Sequence, residues 1–156
     1  MLKRQEFKYF IYNKDIDFLR YHLKKYMKLD SNSNQETSSY KISTLYFDSI
    51  TQECLNEKLD GINSREKFRI RKYNDDNSLY KLECKQKIDT AIYKKAVIVN
   101  ESEVTQLIKC NYSFMLNSKD PFLKEIYFKF TNKKFSPAIL LSYDREAYTL
   151  PYNNIR

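Results

Sequence analysis

The chain has 156 residues, about one domain's length, and 42% apolar residues are enough to bury a core. Its 28 Lys and Arg against 20 Asp and Glu leave a net charge of +8, which points to an anionic partner. One glycine, Gly61, excludes a glycine-rich phosphate loop or dinucleotide fingerprint, and one histidine, His22, argues against His-rich zinc sites and a His-based triad.

Cys54, Cys84 and Cys110 are odd in number, far apart and free of any CxxC, so they read as small buried hydrophobes in a reducing compartment. No signal-peptide pattern and no apolar run of about 18 residues is present. The expectation is a soluble, cytoplasmic chain without a membrane segment, forming a single domain over 1–156.

In chain order, 2–12 is rich in aromatics and reads as a strand, with Arg4, Glu6 and Lys8 on one face and Phe7, Tyr9 and Ile11 on the other. Ile16, Leu19, Leu23 and Tyr26 then recur at helical spacing, with Asn13 as the expected cap and His22 as a surface or boundary side chain. Polar residues over 30–39 predict a loop, and 40–48 a second strand. A short helix is expected to end at the Asp60-Gly61 turn, followed by strands at 65–73, 79–88 and 91–99. Asn100 and Glu103 form a capping-box pattern before a helix with Val104, Leu107 and Ile108 inward. Asp120-Pro121 opens another helix, with Phe122, Ile126 and Phe130 as its buried stripe. A last strand is expected at 138–148. Strand-rich order with hairpin neighbours predicts an antiparallel α+β fold.

Period two places Arg65, Lys67, Arg69 and Arg71 on one strand face, and Lys81, Glu83, Lys85 and Lys87 on one face of the next. Tyr143 and Arg145 share a side of the last strand. Like charges about 7 Å apart repel by about 2 kcal/mol at an effective dielectric near 20. Such rows are unfavourable unless solvated or facing an anion. A solvated sheet face and an anion-binding face are both open readings of this pattern. Glu6 and Glu83, interleaved with the cations, either neutralise neighbours or hold Mg²⁺ or Mn²⁺ beside phosphate oxygens. Tyrosines that stack on bases would suit nucleic acid, but no helix concentrates basic residues for a groove, so duplex DNA is disfavoured.

Six segments in order resemble the VTC domain, the polyphosphate-polymerase branch of the CYTH, or triphosphate tunnel, superfamily. They are Arg4-Gln5-Glu6-Phe7-Lys8-Tyr9, Ser43-Thr44-Leu45-Tyr46-Phe47-Asp48, Asp60-Gly61 with Arg65-x-Lys67-x-Arg69-x-Arg71-x-Tyr73, Leu82-Glu83-Cys84-Lys85, Tyr93-Lys94-Lys95, and Ser142-Tyr143-Asp144-Arg145-x-Ala147-Tyr148. The resemblance implies an antiparallel β-tunnel, or barrel, of the triphosphate tunnel type with flanking helices. It also implies ATP, triphosphate or polyphosphate as ligand, Mn or Mg as cofactor, and transfer of the γ-phosphoryl of ATP to a polyphosphate chain. Carried over, Lys8, Arg69, Arg71, Lys85, Lys94, Tyr143, Arg145 and Arg156 contact phosphates, Arg69, Arg71 and Arg145 act in catalysis, and Glu6 binds metal.

The family's chain continues past the position of Arg156 into further strands, so a truncated tunnel with open strand edges is expected, and with it a homodimer through those edges. A catalytically inactive phosphate-chain-binding module is the first alternative. Another CYTH activity, triphosphatase or adenylate cyclase, is the second.

Overall fold

The computed structural model describes residues 7–31, 33, 34, 36–74 and 79–150. Chain contacts divide the protein into two compact units, one spanning 42–142 and one combining 2–41 with 143–156.

The first unit is built on a five-stranded sheet. Its strands are β2 (Tyr40–Asp48), β3 (Ser64–Tyr73), β4 (Tyr80–Ile88), β5 (Ala91–Val99) and β6 (Ser136–Arg145), in the spatial order β5-β4-β3-β2-β6. The β2–β3, β3–β4 and β4–β5 pairs are antiparallel. Between the strands lie α2 (Glu53–Leu59), α3 (Glu101–Ile108), α4 (Ser113–Leu116) and α5 (Pro121–Lys133). The fold class is therefore α+β, as the strand order predicts. The sheet is open, with β5 and β6 at its edges, and no closed barrel forms among the described residues. Five strands are fewer than the roughly eight of a small closed barrel.

One sheet face carries the core. Phe47, Phe68, Ile70, Leu82, Cys84 and Val99 pack with Val104 and Leu107 of α3, Met115 of α4, and Leu123, Ile126 and Phe130 of α5. Phe130 stacks on Phe135 at 5.0 Å, and both meet Phe68 edge-on at 5.3 Å. Tyr112 donates its buried hydroxyl to the Phe135 carbonyl at 2.6 Å, so the aromatic cluster contains no wasted donor there. The helices that cover this face begin where the sequence marks them. Asn100 and Glu103 make a reciprocal capping box on α3, and Asp120 caps α5 with Pro121 in its first turn. Ile108 is 51% exposed and does not join the core. In α5 the inward stripe starts at Leu123 in place of Phe122, which is only partly buried.

Gly61 takes a φ of +70°, the left-handed turn that lets the chain leave α2 and enter β3. Cys54 and Cys84 are buried and Cys110 is exposed, all as free thiols. Burial pushes the Cys54 and Cys84 thiols up to about 12, which leaves them unreactive.

In the second unit, α1 (Ile16–Tyr26) follows a 3-10 turn at Asn13–Asp15. Asn13 therefore belongs to that turn and does not cap α1, whose first residue follows Asp15 without a side-chain cap bond. A two-stranded sheet pairs β1 (Lys28–Leu29) with β7 (Tyr148–Thr149). The expected strand at 138–148 is thus two strands separated at Glu146-Ala147. Arg20 of α1 grips the Glu146 carboxylate through Nε at 2.9 and 3.0 Å, and the Ala147 carbonyl accepts from Asp30 N at 2.8 Å. These tertiary bonds redirect the chain before β7. The expected strand at 2–12 is not formed over its described part, 7–12, where the aromatics are exposed and no partner strand pairs with them among the described residues. Alternating aromatics favour a strand only when a neighbour supplies the ladder.

Candidate phosphate-binding face

The sheet face opposite the core is built by register. Across β2, β3, β4 and β5, one row aligns Tyr46, Arg69, Glu83 and Ala96. The next row on one side aligns Lys67, Lys85 and Lys94, and on the other Thr44, Arg71, Lys81 and Ile98. Neighbouring strands lie about 4.8 Å apart, so the three lysines form a short ladder of like charge. Period two thus gathers Lys67, Arg69, Arg71, Lys81, Lys85 and Lys94 on one surface.

Glu83 sits among these cations and is fully buried. Its Oε2 accepts from Arg69 Nε at 2.8 Å, its Oε1 meets Lys94 Nζ at 2.5 Å, and Arg71 Nη1 lies 3.9 Å from Oε2. Burial pushes the Glu83 carboxyl up, but the bonds from Lys94 and Arg69 outweigh it and hold the group below the usual carboxylate range. Burial likewise works against the Arg69 charge, and bonds to Tyr46 and Glu83 more than restore it. Arg69 Nη1 reaches the Tyr46 hydroxyl at 3.3 Å, and Arg71 Nη1 the Tyr73 hydroxyl at 3.4 Å. Arg71 Nε and Thr44 Oγ1, opposite each other in register, are buried without a hydrogen-bond partner. Lys67 loses proton affinity through burial and then through the nearby charge of Lys58.

Lys94 and Lys95 are adjacent in sequence and go to opposite faces. Lys94 joins Glu83, whereas Lys95 bonds Glu125 of α5 at 2.7 Å. Glu66 also leaves the basic face, bonding Lys129 of α5 at 2.7 Å. Asp48, the last residue of the Tyr46-Phe47-Asp48 segment, is an N-terminal clasp for α2: its carboxylate accepts from the backbone N–H groups of Ser49, Cys54 and Leu55.

Residues 3–156 match the family model of the VTC domain. The chain belongs to the VTC domain family. No curated protein matches the chain. In this VTC domain, four of the carried-over phosphate positions, Arg69, Arg71, Lys85 and Lys94, share the sheet face just described. Lys8 belongs to the second unit, as do Tyr143 and Arg145, because the division falls within β6 after Ser142; there Arg145 Nη2 donates to the Tyr143 hydroxyl at 3.0 Å. Glu6 and Arg156 lie outside the described residues. Lys67, Tyr46 and Thr44 are on the face without having been among the carried-over residues. The signal for them was the same period-two alternation, extended from β3 to β2. Among the described residues, no helix is long and apolar enough to cross a membrane.

Proposed function

We propose that this face binds the phosphate chain of ATP or polyphosphate, and that the domain transfers the γ-phosphoryl group of ATP to a growing polyphosphate chain. One observation carries the reading. Six cations share one face of three adjacent strands around a single buried carboxylate, an excess that a polyanion neutralises. Phosphoryl transfer asks a protein for positioning and charge neutralisation more than for a nucleophile. In the reaction, a terminal oxygen of the polyphosphate chain forms a bond to the γ-phosphorus. The bond from that phosphorus to the β–γ bridging oxygen breaks, and ADP leaves.

Arg69 meets Glu83 through Nε and Tyr46 through Nη1, which leaves Nη2 to face phosphate oxygens; Arg71 offers a second planar fork. Lys67, Lys85 and Lys94 supply point charges along the chain. Lys8, Tyr143, Arg145 and Arg156 are proposed as further phosphate contacts.

Mn²⁺ or Mg²⁺ is the proposed cofactor, with Glu6 as its ligand, and would shield charge between phosphate oxygens when bound. The described residues do not provide that site: they hold no group of three His, Cys, Asp or Glu, and Glu83 is committed to Arg69 and Lys94. No step is derived through the metal. The commitment of Glu83 to cations also favours the second reading, a module that binds phosphate chains without turnover.

Incubation with ATP and Mn²⁺, followed by gel and phosphate analysis, separates these readings. Polyphosphate with ADP supports the polymerase. Inorganic phosphate or cyclic nucleotide as the product points to a triphosphatase or cyclase, and saturable binding without product to the inert module.

A further inference from the structure

The outer side of α1, in the second unit, is open and aromatic. Ile16, Leu19, Arg20 and Leu23 are partly buried, and Arg20 binds Glu146, so these residues mark the inner side of the helix. At about 100° per residue, Phe18, Tyr21 and Lys25 fall opposite them. Phe18 and Tyr21 are 64% and 61% exposed, and Tyr26 in the last turn is more open still. Phe7, Tyr9, Phe10 and Tyr12 of the same unit are exposed as well. Lys14, Lys24, Lys25 and Lys28 stand exposed among these rings. Residues 7–28 hold six cations against two acids, and one of the acids, Asp17, is bound by Arg20 at 3.0 Å. Lysines near a helix C-terminus are ordinary, because they complement its dipole. Large aromatics left open beside them are not, and such a patch marks an interaction surface.

We propose that this side of α1 lies on an anionic lipid bilayer, with Phe18, Tyr21 and Tyr26 at headgroup level and Lys14, Lys24 and Lys25 against lipid phosphates and carboxylates. Aromatic rings with a polar edge favour that depth, and an anionic leaflet attracts each lysine close to it. The helix has 11 residues, too short to span a bilayer, so it rests in the interface. Single-stranded nucleic acid fits less well, because its bases stack on open ring faces. Here Lys25 sits over the Tyr21 ring at 4.8 Å, Lys14 over the Tyr12 ring at 5.6 Å, and Phe18 packs on His22 at 4.3 Å. A second copy of the chain would set like charge against like charge. The proposal does not depend on the phosphate-binding reading of the sheet face.

Co-sedimentation of the full chain with vesicles of phosphatidylcholine, with and without phosphatidylserine, tests this. Expected is saturable binding to the anionic vesicles that weakens as salt is raised, and little binding to phosphatidylcholine alone. Lys24→Gln with Lys25→Gln, and separately Phe18→Ser with Tyr21→Ser, should each lose about tenfold in vesicle affinity. All four side chains are exposed, so circular dichroism and melting temperature should match the parent's. Vesicle binding that neither pair changes would place the lipid on other cations of the chain and overturn the proposal. Equal binding to both vesicle types, or none to either, would overturn it too. Tighter retention of a single-stranded RNA than of anionic vesicles, weakened by the same variants, would give the surface to nucleic acid instead.

Discussion

Glu83 Oε2 accepts a hydrogen bond from Arg69 Nε at 2.8 Å from a fully buried position, on the strand that hairpins onto Arg69's own. With Lys94 on the other oxygen, the carboxylate fixes two cations of the proposed ligand face at once. Breaking a buried pair by removing one partner leaves an uncompensated charge, at a cost of about 3–5 kcal/mol. Glu83→Ala is expected to lose stability in that range by urea denaturation. Glu83→Gln, which keeps an acceptor for Arg69, should lose less. Equal stability of Glu83→Ala and the parent would mean the pair is solvated and does not organise the face.

Acid sensitivity follows from the same group and from Glu125 and Glu146. Bonds from Lys95 hold Glu125, and bonds from Arg20 hold Glu146, below the usual carboxylate range, as those from Lys94 and Arg69 hold Glu83 despite its burial. A depressed folded-state pKa contributes stability that is complete above the unfolded value, about 4.3 for Glu. It is lost as pH falls through the lower folded value. Denaturation midpoints should therefore stay flat from neutrality down to about pH 5 and fall steeply below about 4. Glu83→Gln should flatten the acid limb. A limb unchanged in that variant would assign acid sensitivity to other carboxylates.

Much of the basic face was legible because alternation is a local property. Residues 65, 67, 69 and 71 must share a side of a strand, and the capping patterns at Asn100 and Asp120 are equally local. What alternation cannot supply is register. Only the pairing of Arg69 with Glu83 reveals that this carboxylate is a buried counter-ion, and only the β4–β5 pairing decides which of Lys94 and Lys95 joins the basic face. The same gap explains the misreadings. Residues 7–12 have strand composition without a strand beside them among the described residues, and the break at Glu146 comes from Arg20, 126 positions away. In α5, residues 122, 126, 130 and residues 123, 126, 130 both follow helical spacing, and only packing against the sheet selects Leu123 over Phe122.

A backbone prediction is independent of ligand. Lys134 ends α5 in the left-handed region with φ 50°, its N–H bonded to the Phe130 carbonyl. Glycine adopts that conformation without a Cβ penalty and is the favoured residue at such helix ends. Lys134→Gly is expected to raise stability by about 0.5–1 kcal/mol in thermal or urea unfolding. A loss would show that the lysine side chain contributes more than the strain costs.

The last prediction separates a preorganised phosphate site from a generally basic surface. Arg69 and Arg71 each present a planar fork on the sheet face, and Arg71 Nε is buried without a hydrogen-bond partner. Removing either fork should weaken tripolyphosphate binding by about 2–4 kcal/mol, the range for truncating a buried charge pair. Lys124 on α5 is exposed and lies on the helical layer that covers the other side of the sheet. Lys124→Ala should cost under about 1 kcal/mol, as an exposed ion pair would. Without ligand the arginines should differ. Arg69→Ala strips Glu83 of its 2.8 Å partner and is expected to destabilise the free protein. Arg71→Ala, 3.9 Å from Glu83 and surrounded by other cations, should leave stability near the parent's, because relieved repulsion offsets the weaker pairing. Calorimetric titration with tripolyphosphate and Mn²⁺, paired with thermal melts with and without ligand, reads both quantities. Small and equal binding losses at Arg69, Arg71 and Lys124 would mean a diffuse basic surface, and the phosphotransferase reading would fall with it.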